Sequence, residues 1–191
     1  MELPKMRALT SALTDTPPLR TALFAAIASL ALPHSSLAES PIIQTEGPII
    51  HLADNLDEEA SLGWCIDTEG RGLSDQLHAH SCKPTGGDVL FSYTAVNGRI
   101  ESVTYTGRCM AYNAPDSVEN PFGLMACDET DPNQRFVHDA ENGQIRLGAD
   151  ATQCVTVSAT IDDAGPFQSR DLLLVACEDL DPRLKTWIIR D

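Results

Sequence analysis

The 191-residue sequence predicts an all-β fold built from three internal repeats of about 45 residues, cross-linked by disulfides. The first observation behind this is a set of landmarks that recur at one offset. Cys82 and Cys127, Phe91 and Phe136, Asn97-Gly98 and Asn142-Gly143, Ile100 and Ile145, and Cys109 and Cys154 all stand 45 positions apart. The second is the spacing of the six cysteines: Cys65 to Cys82 (17), Cys109 to Cys127 (18) and Cys154 to Cys177 (23). Six cysteines permit about 15 pairings in the abstract, and it is the repeat that groups them as one bridge per unit. Closing a loop of that size stabilises by about 3 kcal/mol in the chain-entropy description. The third is local: after residue 48 the chain reads as short strands divided by turn residues, without long helical periodicity.

Taken in order, residues 1–38 read as an export leader. Lys5, Arg7 and Arg20 precede an apolar run from Thr21 to Leu32, and Ser36-Leu37-Ala38 sets small residues for cleavage after Ala38. A start at Met6 in place of Met1 would shorten the long basic segment. The 12-residue run is too short for a membrane span, which needs about 20 residues. Residues 39–47 form an acidic lead-in, and the repeats occupy 48–191. Within them FSYTA leads into Asn97-Gly98 and RIESVTYT leads out, while QRFVH precedes Asn142-Gly143. An Asn-Gly pair between such runs predicts a hairpin, because both residues tolerate positive φ. Asp131-Pro132 and Asp181-Pro182 mark turns after the second cysteine of the later units.

Charge narrows the partners. The sequence has 13 Lys+Arg against 28 Asp+Glu, and without residues 1–38 it keeps 10 against 26, a net charge of −16 over 153 residues. Nucleic acid and anionic membrane surfaces both require a basic face, so neither is expected as a target. An even number of cysteines behind an export leader implies disulfides in an oxidising compartment, secreted or periplasmic.

These features together resemble the ricin-type (R-type) β-trefoil lectin domain, over roughly residues 48–190. That family repeats a segment of 40–50 residues three times, each with a Cys-apolar-Asp opening and a QxW closing. The openings here are GWCID at Cys65, GRCMA at Cys109 and QCVTV at Cys154; the closings are DVLF ending at Phe91, NQRF at Phe136 and LKTW at Trp187. Gln134 keeps the Gln place in the middle unit, with Val89 and Lys185 in its stead elsewhere. A β-barrel removes exposed edges, and one large side chain per unit can fill its core, so Phe91, Phe136 and Trp187 are expected inside. A Trp187 stacked on a ligand is the competing reading.

The resemblance also implies a carbohydrate site where a unit has the Asp two after its first Cys, a polar residue four before the second Cys and an aromatic two before it. In the first unit these places hold Asp67, His78 and His80, with Asp88 where the family often has Asn. Asp67 would accept from sugar hydroxyls, His78 would donate or accept, and His80 would present a flat ring. The competing reading of Asp67 is a turn residue bonded to nearby backbone N–H groups. Ala111, Gly123 and Met125 in the second unit, and Thr156, Leu173 and Val175 in the third, break the pattern, leaving at most one sugar site.

The expected partners are therefore glycans or glycoproteins. A protein partner is the alternative, as for toxin-complex subunits or trefoil protease inhibitors, and a passive envelope-associated module is a third. No cofactor is expected. His78, His80 and Cys82 alternate as metal ligands can, with His51 or His138 as further candidates, but a bridged Cys82 cannot ligate and no metal is expected. The loops CDETD and CEDLD lack EF-hand spacing. No catalytic motif is present, and Glu58-Glu59 reads as a solvated acidic pair, so an enzyme is not expected.

Overall fold

A computed structural model describes residues 39–70, 72–112 and 121–191; the expected leader over 1–38 lies outside them. The described chain is built of antiparallel strands: β1 (Ile49–Leu52), β2 (Trp64–Thr68), β3 (Leu77–Ser81), β4 (Phe91–Thr94), β5 (Arg99–Ser102), β6 (Arg108–Tyr112) and β7 (Phe122–Ala126), followed by β8 (Phe136–Asp139), β9 (Gln144–Leu147), β10 (Asp150–Val157), β11 (Asp162–Ala164), β12 (Phe167–Ala176) and β13 (Trp187–Arg190). Nine of them form a sheet in the order β13-β1-β2-β3-β12-β10-β9-β8, with β11 attached to β12; β4-β5-β6-β7 form a second sheet. Among the described residues the helical pieces are three single 3₁₀ turns.

Asp131-Pro132 and Asp181-Pro182 open two of those turns, each Asp carboxylate accepting from the backbone N–H two residues on (2.9 and 3.0 Å). Proline at the first helical position needs no N–H partner, which is why the pair works as a start signal. The Asn-Gly hairpins form, but as four-residue turns. Thr94 pairs with Arg99 and Asp139 with Gln144, and positive φ falls on Gly98 (69°) and Gly143 (70°) alone. The strand expected over RIESVTYT stops at Ser102, whose Oγ accepts from Tyr105 N at 3.1 Å and bends the chain away.

The three disulfides join Cys65–Cys82, Cys109–Cys127 and Cys154–Cys177. Phe91, Phe136 and Trp187 are buried in one core with Trp64, Ile66, Ile100, Met110, Phe122 and Ile145. Trp187 is 1 % exposed and its Nε1 donates to Val155 O at 2.9 Å, which rules out stacking on a ligand. A recurring backbone bond ties each closing aromatic to an earlier turn: Phe91 N to Pro48 O (3.1 Å), Phe136 N to Gly98 O (2.6 Å) and Trp187 N to Gly143 O (2.7 Å).

One expectation is corrected here. Glu58 is not solvated but 4 % exposed, its carboxylate accepting from Ala60 N (3.0 Å), Leu62 N (2.6 Å) and Ser81 Oγ (2.7 Å). The loop it closes puts three non-glycine residues, Leu56, Asp57 and Ser61, at positive φ. Such strain persists only where the surroundings over-determine it. Glu58 supplies part of that hold. Arg170 supplies another, buried at 4 % exposure over the Trp64 ring (4.6 Å) and donating to Leu56 O, Ser158 O and Ala159 O.

Candidate functional site

Alternation along the β2–β3–β12 ribbon sorts the side chains into two faces. Residues opposite each other in an antiparallel pair share a face. Trp64, Ile66, Leu77 and Ala79 therefore enter the core, while the other face carries two cross-strand rows: Asp67, His78 and Asp171, and Cys65, His80 and Ser169. The sequence signal that named Asp67, His78 and His80 is thus a register signal, and the structure brings the three together.

A cleft of about 560 Å³ opens on that face, lined by His78, His80, Lys83, Asp88, Phe167 and Ser169 among others. Its far wall is the tip of the β11–β12 hairpin, Asp163 to Phe167, from the longest of the three disulfide loops (23 residues against 17 and 18). The hairpin is fastened beside its tip, at Gln168, the partner of Asp163. Gln168 N donates to Ser81 Oγ (3.1 Å), and Gln168 Oε1 accepts from Glu59 N (3.0 Å). Since Ser81 is also held by Glu58, the strained loop and the cleft wall share one anchor.

Asp67 lies beneath the cleft and does not line it. It is fully buried, with Oδ2 2.7 Å from Lys83 Nζ and 3.7 Å from His80 Nδ1, and Oδ1 accepts no hydrogen bond from the described residues. Neither a solvent-facing anchor nor an Asx turn describes it. Lys83 reaches on to Asp88 Oδ2 at 3.5 Å, while Asp88 Oδ1 accepts from Tyr105 Oη at 2.9 Å. Burial pushes the Asp67 carboxyl above the usual range, against the pull of the Lys83 hydrogen bond. Tyr105 is pushed up to about 12 by desolvation and by its bond to Asp88.

Both histidines are held neutral. Burial, then repulsion from His80 and Lys83, pushes His78 down to about 4. His80 is lowered by burial, partly offset by the Ser81 carbonyl next to its Nδ1 (2.9 Å). A neutral imidazole offers one donor and one acceptor, and His78 Nε2 has no hydrogen-bond partner among the described residues. The rings of His78 and His80 lie 5.3 Å apart, and His80 meets Phe167 edge-on at 5.6 Å. Lys83 and Phe167 had no signal in the sequence: Lys83 merely follows a cysteine, and Phe167 arrives from the β11–β12 hairpin, which lies outside the landmarks that recur at the 45-residue offset.

The remaining candidates for metal ligation do not converge with these residues. Cys82 is bridged to Cys65, and His51 Nδ1 lies 2.8 Å from Leu52 O. Among the described residues one trio of ligand atoms gathers within 4.8 Å, Glu101, Cys109 and Cys127, and both its sulfurs belong to a disulfide. No described helix is long and apolar enough to cross a membrane.

A sequence model of the ricin-type beta-trefoil lectin domain matches residues 55–185. No curated protein matches by sequence. Among solved structures, the C-half of the earthworm R-type lectin, in complex with GalNAc, is similar with a TM-score of 0.51 at 16% identity, over 74% of this chain and 95% of that one. The solution structure of the mdaA-1 domain gives 0.53 at 12% identity, over 80% and 92%. The agglutinin from Abrus precatorius gives 0.51 at 15% identity, over 74% of this chain and 45% of that one. At these identities the likeness is one of fold: an all-β trefoil.

Proposed function

The chain belongs to the ricin-type β-trefoil lectin family, and from that membership we propose that it is an exported, non-catalytic module that binds carbohydrate at the β2–β3 cleft. Residues 1–38 are its export leader and 48–191 its lectin-like domain. The observation that supports this most is the convergence of His78, His80, Asp88 and the Phe167 ring on one cleft, above Asp67. Sugar sites combine hydroxyl-binding polar groups with an aromatic surface for the apolar ring face, and this cleft holds both. A single shallow site binds weakly, so useful avidity comes from presenting several copies.

A second reading has its own support. Lys83 and Tyr105 already engage the Asp67 and Asp88 carboxylates, as in a trefoil whose sugar site is lost and which binds a protein. A high-density glycan array separates the two. Under the carbohydrate reading a defined sugar binds the wild-type protein, and His80→Ala loses it. No binding to any sugar at high density would leave the protein-binding reading in its place.

A further inference from the structure

We infer that Lys83, not Asp67, is the side chain a ligand meets at the floor of this cleft, and that Asp67 is a positioning residue acting through it. The inference rests on the carbohydrate reading and deepens it. Lys83 lines the cleft; Asp67, fully buried 2.7 Å behind the ammonium, does not. A sugar hydroxyl can reach the Asp67 carboxylate only by prising off a cation that is tethered one residue from the Cys65–Cys82 disulfide. A tethered group competes at high effective concentration, so a weakly bound sugar does not displace it. The ammonium has three N–H donors, and two face carboxylates, Asp67 at 2.7 Å and Asp88 at 3.5 Å. The third is left for the cleft.

The chemistry of the site is therefore inverted relative to a carboxylate-floored one: the floor donates, and the ligand's contacting oxygen accepts. Two carboxylates set against one ammonium leave the cluster negative, and Asp163 stands at the opposite wall. A carboxylate-bearing sugar is disfavoured by that field, and the ligand class is a neutral pyranose, one hydroxyl oxygen on Lys83 and its apolar face towards Phe167.

The test uses the oxidised full-length protein and the neutral sugar that scores highest on the array. Lys83→Met is expected to weaken binding roughly tenfold or more, the loss of a hydrogen bond from a charged donor. Because that variant strands a buried carboxylate, the neutral pair Asp67→Asn with Lys83→Gln is tested beside it and should show the same loss. Asp67→Asn alone should cost less. In the free protein it should speed acetylation of Lys83 by acetic anhydride, read by mass spectrometry, because the ammonium is released. Saturating sugar should slow that labelling in the wild type. Binding unchanged or tightened in Lys83→Met, or Lys83 labelled equally fast with and without sugar, overturns the inference and leaves the carbohydrate reading standing. Preference for uronic acids over their neutral parents overturns the ligand class. A wild-type protein that binds no sugar removes both.

Discussion

Burial beside His80 and Lys83 holds His78 neutral in the folded chain down to about pH 4, whereas an unfolded chain protonates it near 6.5. Between those values the unfolded state binds more protons than the folded one, so stability falls as pH falls. His78 contributes up to roughly 1.4 kcal/mol for each pH unit in that window. His80 and His51, also lowered by burial, add to the slope, while Asp67, raised by burial, opposes it. Urea unfolding of wild type and His78→Gln at pH 7, 5.5 and 4.5 tests this, and the variant should show a shallower loss of stability towards low pH. The histidines were readable by position from the family pattern; their neutrality was not, because it comes from packing against β12 and Lys83. Glu58 makes the same point in reverse. As half of an acidic pair it looks solvated, and only the left-handed residues around it create the inward-facing amides that it accepts from.

At the scale of elements, the turns carry a contact the repeat pattern only hints at. A Cβ added to Gly98 would sit 2.6 Å from Phe136 O, and one added to Gly143 would sit 2.9 Å from Trp187 O. Each glycine is thus required twice, for its positive φ and for the approach of the next closing aromatic's backbone. Gly107, also at positive φ (74°), faces open space. Gly107→Ala should therefore cost about 1 kcal/mol from backbone strain alone, and Gly98→Ala clearly more, in paired thermal unfolding. The same alignment shows what the sequence could not reveal. Repeats advertise what they share, and the offset of 45 located cysteines, turns and core aromatics well. The β11–β12 hairpin lies outside those recurring landmarks. It surfaces in the sequence only as a longer cysteine spacing, yet it forms one wall of the cleft.

For the whole molecule, composition sets the electrostatic behaviour. With 10 basic against 26 acidic residues after position 38, the folded domain compresses like charges that the unfolded chain spreads out. Raising NaCl from 10 mM to 0.3 M should screen that repulsion and lift the melting temperature by a few degrees, about 1 kcal/mol for a domain of this size. An unchanged or lower midpoint would show the acidic groups to be locally compensated. Fold class was the most legible level of all, since strand patterning, cysteine order and terminal aromatics are distributed over the whole chain and reinforce one another. The ladder between β1 and β13, running from Ile49 beside Arg190 to Leu52 beside Trp187, has a consequence of another kind. It sets the first and last strands a strand's width apart, so a short bridge from just beyond Arg190 to just before Ile49 could close these strands into a ring. A ring can be opened elsewhere, and a domain whose entrance and exit adjoin can be spliced into a loop of another protein without forcing that loop apart.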